Sequence, residues 1–311
     1  MSVFADFAWR LRGLLAALLL IVPPLITVAH AEALAVEVRS LDDIAFLKEL
    51  SQQMRARLAS GGDRYRPTTG TESPQVIVTV GPTALKLALA ERRSAPLLAI
   101  GIARPTFIAS LEAKGMTPET VRDVCGLFVG QSPRHNLALV RALLPKAASL
   151  GVFDSPSLPV RPAFLVLAKE LSLTVNAETV SSPAQALAAL EPLLKKSDAL
   201  LVTQGADASN NRNIRQIVLA GLLAGKPVIG GVTDGFVEEG ALGAIYSRSE
   251  DIAGEALRRL ELWRSMRTLG ASGYARDWFI RVNPATAKTF SVVLPAENDL
   301  RSTIARLAGD E

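Results

Sequence analysis

The sequence has few of the side chains on which metal sites and covalent catalysis depend. It contains one cysteine, Cys125, and two histidines, His30 and His135. A single cysteine excludes an intramolecular disulfide, and a zinc site built from histidine and cysteine is nearly excluded. Cys125 lies in an apolar, strand-like run, which predicts a buried and inert thiol.

The sequence motifs of common enzyme classes are also missing. There is no G-x-S-x-G, no phosphate-binding G-x-x-x-x-G-K-[ST] and no H-E-x-x-H. A Ser-His-Asp triad in the mature chain would have to use His135, and its place near a predicted helix start indicates an exposed first-turn residue instead. These absences argue against an enzyme, and neither a cofactor nor a metal is expected.

Clusters of positive charge are absent as well. The formal net charge is +4, and no run of lysine and arginine exceeds two residues. Nucleic acid is therefore not an expected partner. Hydrophobic residues make up 49% of the chain and the mean hydropathy is +0.26, which is typical of a globular protein with a sizeable core. A length of 311 residues suffices for two domains of ordinary size.

The amino-terminal segment, residues 1–31, has the pattern of a secretory signal peptide. Two arginines precede an apolar stretch, and Ala29-His30-Ala31 forms an A-x-A cleavage site. The pattern predicts cleavage before Glu32 and export to the periplasm. The alternative is an uncleaved membrane anchor, but the apolar stretch is at the short limit for a membrane span and holds two prolines.

Residues 197–234 predict the unit around which the rest of the chain is organised. An apolar strand from 199 to 203 is followed by a polar loop, a helix and a second strand from 227 to 232. Two buried strands joined by a helix form a parallel βαβ unit with a right-handed crossover. Ligands bind beyond the carboxyl ends of such strands, which is where polar residues are concentrated here.

A similar unit occurs earlier in the chain. Residues 76–102 repeat the order of strand, glycine, helix, X-Pro and strand. Two such units predict two similar α/β lobes, each with a doubly wound sheet. Binding of a ligand between two such lobes is a common use of this architecture.

Four stretches, taken in order, resemble the substrate-binding proteins of ABC transporters that have the type I periplasmic binding fold. The closest resemblance is to a branch of which some members bind aromatic or related amino acids. The stretches are VIVTVGPTALKLAL (76–89), ALVRALLPKAASLGVFDSPS (138–157), NNRNIRQIVLAGLLAGKPVIGGVTDGFVEEGALGAIYS (210–247) and DWFIRVNPATAKTF (277–290). One departure follows the first strand, where Arg39-Ser40-Leu41-Asp42 replaces the family's small polar loop.

The resemblance implies an α/β fold with two doubly wound, parallel-sheet lobes joined by a three-strand hinge. Lobe one is expected at 33–130 with 236–269, and lobe two at 131–235 with 274–311. The crossings are expected near Gly130, 233–235 and 270–273. The implied protein is a monomer that binds a small solute between its lobes and passes it to an ABC permease in the inner membrane.

The strand ends and helix starts that border the predicted cleft provide the candidate ligand contacts. They are Gly81, Thr83, Ser155, Gln204, Asp207, Asn211, Thr233, Asp234 and Tyr246. The helix amides after Gly81 favour an anionic group such as a ligand carboxylate. Asp207 could pair with an ammonium, although Asp207 and Asn211 are equally suited to capping a helix. These choices predict a small zwitterionic or anionic solute, an amino acid or a similar molecule.

Two other function classes stay open at this stage. One is a periplasmic sensor or accessory protein, in which the same fold serves a receptor or an outer-membrane uptake system. The other is an exported α/β enzyme that uses Asp207 or Asp234 as a base. This second class requires a nucleophile or a metal, and the sequence offers neither.

Overall fold

The computed structural model describes residues 33–68, 72–91, 94–118, 120–155, 160, 162–202, 211–231 and 233–310. The predicted signal peptide and two candidate contacts, Gln204 and Asp207, lie outside the described residues, and Asn211 is described by its backbone alone. The chain divides into two units, Met1–Ala33 and Leu34–Glu311. The description that follows concerns the second unit.

Strands and helices alternate along the chain, as the sequence predicts. The strands are β1 (Leu34–Ser40), β2 (Tyr65–Pro67), β3 (Val76–Val80), β4 (Leu97–Ile102), β5 (Val124–Phe128), β6 (Ser149–Asp154), β7 (Thr174–Thr179), β8 (Ala199–Val202), β9 (Val228–Gly230), β10 (Gly243–Tyr246), β11 (Gly273–Tyr274) and β12 (Phe279–Val282). The helices are α1 (Ala45–Ser60), α2 (Pro82–Ala90), α3 (Arg104–Glu112), α4 (Pro133–Leu143), α5 (Pro162–Glu170), α6 (Pro183–Lys196), α7 (Asn211–Leu223), α8 (Gly235–Glu238), α9 (Ser249–Met266), α10 (Pro284–Thr289) and α11 (Glu297–Ala308).

The strands of the described residues form two six-stranded sheets with matching strand orders. The first sheet runs β2-β1-β3-β4-β5-β11 and the second runs β7-β6-β8-β9-β10-β12. All pairs are parallel except β10 with β12, which is antiparallel. The two units whose similarity is visible in the sequence, β3-α2-β4 and β8-α7-β9, occupy equivalent positions in the two sheets. The predicted pair of similar α/β lobes is therefore confirmed.

Helices cover both faces of each sheet. On one face of the first sheet, α1 and α9 bury a cluster that includes Leu50, Met54 and Ile252, and on the other face Leu85 and Phe107 belong to a second cluster. This two-sided burial explains why every residue of β3 is buried and why all of them except Thr79 are apolar. The second sheet is covered by α4, α5 and α11 on one face and by α6 and α7 on the other.

Five apolar residues in and just before α1 recur at helical spacing, which favours a buried face, and four of the five are buried. Leu47, Leu50, Met54 and Leu58 are buried, whereas Ile44 is 57% exposed. Ile44 has extended backbone and precedes the first helical turn, so helical spacing does not determine where its side chain lies.

The chain passes between the two sheets three times, and two of the crossings differ from their predicted places. The first lies between β5 and α4, in residues 129–132. The second is predicted at 233–235. However, β10 follows this segment and still belongs to the second sheet, so the chain crosses only after Tyr246. The predicted placement of 236–246 with lobe one is therefore wrong. The third crossing follows Tyr274, because β11 adds to the edge of the first sheet.

Cys125 is buried within β5, and burial raises the pKa of its thiol to about 11. A thiol with this pKa is almost wholly protonated at neutral pH, and the thiolate is the nucleophilic form. The prediction that Cys125 is buried is confirmed. Across the part of the chain that the structure describes, no helix is both long and apolar enough to cross a membrane.

Candidate functional site

The connections place the carboxyl ends of the two sheets on the same side of the hinge. The first crossing leaves the carboxyl end of β5, and the second leaves the carboxyl end of β10. The third runs from the carboxyl end of β11 to the start of the antiparallel strand β12, where Phe279 pairs with Tyr246 at the end of β10. All three crossings therefore join the carboxyl edge of one sheet to the carboxyl edge of the other, and these edges border the candidate binding cleft.

The three crossings are bound to one another by buried hydrogen bonds. Gln131 follows the first crossing, and its amide nitrogen donates to Ser247 Oγ at 2.7 Å and to the Ala275 carbonyl at 3.0 Å. Ser247 Oγ in turn donates to the Asp277 carbonyl at 2.7 Å. Gln131 is 6% exposed and Ser247 is 1% exposed. One side chain thus connects the first crossing to the second and the third.

A buried carboxylate on α9 forms ion pairs that connect this helix to the third crossing. Glu255 is 1% exposed, and its two oxygens lie 2.8 Å from Arg258 Nε and 3.0 Å from Arg259 Nε. Arg276, in the third crossing, lies 3.8 Å from the same carboxylate. Arg258 also donates to Asp277 at 2.9 Å. Through these contacts the position of α9 is coupled to the segment that leads into lobe two.

At the carboxyl edge of the first sheet, the predicted contacts Gly81 and Thr83 open α2, with Gly81 at φ +86° before Pro82. Asp42, two residues after β1, lies over this turn. Its Oδ1 accepts from Thr83 Oγ1 at 2.6 Å, and its Oδ2 accepts from the Thr83 amide at 3.2 Å. A negative charge is favourable at a helix amino terminus, and here the Asp42 carboxylate supplies that charge.

At the edge of the second sheet, Tyr246 ends β10 and is 6% exposed. Its ring packs edge to face against Phe279, with centroids 5.8 Å apart. The Arg248 guanidinium lies 5.2 Å from the centre of the Phe279 ring. Burial, together with the negative charge of nearby Asp234, raises the pKa of Tyr246 to about 12. Tyr246 and Phe279 thus form a small aromatic group at the place where the second and third crossings meet this sheet.

Asp234 and Thr233 follow β9 at the same edge. Asp234 Oδ2 accepts from Arg281 Nη1 at 3.2 Å, and Arg281 also lies 3.7 Å from Glu238. Thr233 Oγ1 accepts from the Gly235 amide at 3.4 Å. The charge of the Asp234 carboxylate is therefore partly neutralised by Arg281 of β12. The residues next to Asp234 in the sequence do not predict this partner.

The remaining predicted contacts divide into two groups. Ser155, after β6, is 5% exposed and has polar interactions of its own. Gln204 and Asp207 are outside the described residues, and of Asn211 only its place at the start of α7 is described. The roles of these residues as ligand contacts stay predictions. The structure adds Asp42, Gln131 and Arg281, whose partners are distant in sequence.

His135 is not the exposed residue that the sequence predicts. Its side chain is 12% exposed, with Nδ1 2.7 Å from Ser132 Oγ and Nε2 2.8 Å from Asp310 Oδ2. Asp310 also accepts from Trp278 Nε1 at 3.2 Å. Although this order of groups is that of a nucleophilic triad, Ser132 Oγ also accepts the His135 backbone amide and caps α4. Through these contacts Ser132, His135, Asp310 and Trp278 join the carboxyl-terminal residues to α4 and to the third crossing.

The tyrosines offer a test of this packing. Burial raises the pKa of Tyr65, Tyr246 and Tyr274, and in Tyr65 a hydrogen bond to Glu261 adds to the shift. At about pH 10, where free tyrosine is half ionised, we expect little tyrosinate absorbance from the folded chain and a large increase on unfolding in urea. Because the folded pKa is raised, stability should fall as the pH rises from about 10 through about 12. A folded-state titration centred near pH 10 would contradict the packing described here.

Among the residues that the structure describes, no group of three or more His, Cys, Asp or Glu side chains is arranged to hold a metal ion. The chemistry that the described edges offer is polar recognition, with carboxylates, hydroxyls, arginines and an aromatic pair. Groups of this kind orient a small molecule and do not by themselves define a reaction.

The fold is shared by solved structures of low sequence similarity. A structure from Streptococcus pneumonia, described as an ABC domain in complex with L-Trp, has a TM-score of 0.59 and 15% identity, covering 86% of this chain and 98% of that one. The ligand-free, open structure of a substrate binding protein with adhesive properties from Clostridium difficile has a TM-score of 0.58 and 16% identity, covering 85% and 97%. A periplasmic binding ribose operon repressor protein from Lactobacillus acidophilus has a TM-score of 0.50 and 12% identity, covering 81% and 98%.

No protein-family model matches the sequence, and no curated protein matches it. At these identities a structural likeness reports the fold alone. The two matching sheets, the three crossings and these structural neighbours together show that the chain has the type I periplasmic binding protein fold.

Proposed function

We propose that this chain is the periplasmic solute-binding component of an ABC-type uptake system. It takes up a small zwitterionic or anionic solute, such as an amino acid, between its two lobes and presents the closed form to a permease in the inner membrane. The observation that carries the proposal is that all three crossings join the carboxyl edge of one sheet to the carboxyl edge of the other. Ligands of open α/β sheets bind at such edges.

The hinge supports closure of the lobes as the mechanism. Gln131 and Ser247 bind the three crossings together, so the crossings move as one unit and rotation is confined to the residues at either side. Gly130, with φ +77°, directly precedes this unit. Glycine tolerates such backbone angles without steric cost. Closure would bring Asp42 and Thr83 of lobe one towards Asp234 and Tyr246 of lobe two.

Ligand binding should compact the molecule and stabilise it. We expect a smaller radius of gyration by X-ray scattering when the mature chain is saturated with a solute that binds it. Such a solute is found by thermal shift with the common amino acids and their derivatives. A ligand at about 100 times its dissociation constant stabilises the folded state by about 2.7 kcal/mol, so the melting temperature should rise with concentration.

The control is a solute of the same charge that gives no thermal shift, which should leave the scattering curve unchanged. A solute that binds tightly without any compaction would rule out hinge closure and leave a rigid binding module. If no solute in the panel shifted the melting temperature, the proposal of an amino-acid-like ligand would be wrong.

A sensor or accessory protein of the same fold is the alternative. It is supported by the repressor of this fold named above, since the fold occurs in a regulator as well as in substrate-binding proteins. The two functions differ in their protein partner. A permease and an ATPase encoded beside this chain, and stimulation of that ATPase by the liganded protein, would support transport; a neighbouring receptor would support sensing. The three neighbours named above are a domain in complex with L-Trp, a substrate binding protein and a repressor.

A further inference from the structure

The start of α2 is occupied by a carboxylate of the protein itself. Asp42 accepts hydrogen bonds from both the hydroxyl and the amide of Thr83, at 2.6 and 3.2 Å. A side-chain Cβ placed on Gly81 would lie 2.4 Å from Asp42 Oδ2. Glycine at this position therefore leaves room for the carboxylate, and Asp42 sits directly against the turn that opens the helix.

This arrangement changes what the edge of lobe one can recognise. Sequence reasoning expects the α2 amides to receive an anionic group of the ligand. In the structure, Pro82 has no amide hydrogen to offer and the Thr83 amide is already bound to Asp42. A second anion at this place would also lie beside a carboxylate, and two like charges at hydrogen-bond distance repel strongly.

The charge of Asp42 is not balanced by a neighbouring cation among the residues that the structure describes. No described lysine or arginine forms an ion pair with it, whereas Asp234 at the opposite edge is paired with Arg281. A carboxylate has about four acceptor positions, and Thr83 uses two of those on Asp42. No other described side chain donates a hydrogen bond to the remaining positions, which can accept from a group in the cleft.

We infer that Asp42 is a specificity-determining residue of the cleft. It selects ligands that present an ammonium or hydroxyl group at the edge of lobe one. Ligands that present a carboxylate there are excluded. The inference rests on the proposed solute-binding function. It narrows that function to solutes with a cationic or hydroxyl end. A zwitterion is then oriented with its ammonium towards α2 and its carboxylate elsewhere, opposite to the orientation that the helix amides alone favour.

The first test compares three chemical series in one thermal-shift and calorimetry panel. The series are the common amino acids, the amines that lack their carboxyl group, and the acids that lack their amino group. For the native chain we expect the amines to bind within tenfold of their amino acids, and the acids to bind at least tenfold more weakly than the amino acids. Acids that bind as tightly as the matching amino acids would overturn the inference.

The matched variants are Asp42→Asn and Asp43→Asn. Asparagine retains the cap on the turn at position 42, because it caps helices as well as aspartate does. Asp43 is the adjacent carboxylate and pairs with Lys48 at the surface. We expect Asp42→Asn to lose at least tenfold in affinity for the amine and amino acid that bind the native chain best, and Asp43→Asn to stay within twofold. Equal affinities for the native chain and Asp42→Asn would overturn the assignment.

A second measurement needs no identified ligand. Acetate is titrated into the native chain and into Asp42→Ala, and the Thr83 amide is followed by NMR. We expect no saturable shift in the native chain, because Asp42 fills the place, and a saturable shift in Asp42→Ala. A saturable shift in the native chain, or none in Asp42→Ala, would show that Asp42 does not occupy an anion position. This result stands even if every solute in the panel fails to bind, an outcome that would refute the proposed function instead.

Discussion

Alanine in place of Glu255 is expected to lower the free energy of unfolding by about 3 kcal/mol. The carboxylate is 1% exposed and contacts three arginines, Arg258, Arg259 and Arg276. Removing one partner of a buried ion pair costs roughly 3–5 kcal/mol, because the opposite charge is left without compensation. We expect the loss for Glu255→Ala to lie at the lower end of this range, because Arg258 is 42% exposed and keeps its contact with Asp277.

Urea denaturation followed by circular dichroism measures this effect. The matched control is Glu191→Ala, which removes a 76% exposed glutamate that pairs with Lys195 one helical turn away. An exposed pair of this kind contributes little to stability, because water and salt screen the two charges. Glu255→Gln keeps the shape and removes the charge, so it separates the ion pairs from packing. Equal losses for Glu255→Ala and Glu191→Ala would show that the α9 carboxylate does not stabilise the hinge.

Alanine in place of Gln131 is expected to be the second most destabilising of these changes, at about 1–3 kcal/mol. The substitution removes the donor to the Ala275 carbonyl and to Ser247, and both partners lie in a buried region. A buried polar group that loses its partner costs about 1–3 kcal/mol. The loss should appear in urea denaturation as a lower midpoint with an unchanged slope.

Gln52→Ala, on the exposed face of α1, is the control, and its effect should stay within about 0.5 kcal/mol. The two variants also differ in their expected motion. Without the Gln131 amide, the crossings no longer move as one unit, so a solute that compacts the native chain should produce a smaller change in the scattering of Gln131→Ala. A variant with native stability and native compaction would remove Gln131 from the hinge mechanism.

The hinge and the cleft edge use buried polar groups in different ways. At the hinge, Gln131 and Glu255 have partners from several segments of the chain. At the edge of lobe one, Asp42 keeps acceptor positions that Thr83, its hydrogen-bond partner among the described residues, does not use. The first arrangement stabilises one geometry of the crossings, whereas the second leaves hydrogen-bonding capacity for a ligand.

Much of the fold is determined by local sequence alone. The mainly apolar runs of β3 and β8, the glycine and proline at the start of α2, and the alternation of strands with helices all follow from the pattern of neighbouring residues. These features depend on the backbone preferences and burial of residues close in sequence, so the sequence alone contains the information needed to predict them. Two similar lobes and their βαβ units could be predicted for that reason.

Contacts between segments distant in sequence decided the rest. The second crossing lies after Tyr246 because β10 pairs with β12, a strand more than thirty residues later. Asp42 reaches Thr83 across 41 positions, and Gln131 reaches Ser247 across 116. No periodicity or spacing encodes such pairings, since they arise only when the sheets bring their carboxyl edges together. The sequence by itself therefore determined the two-lobed α/β architecture, while the tertiary structure decided which side chains join the crossings and which carboxylate lies at the start of α2.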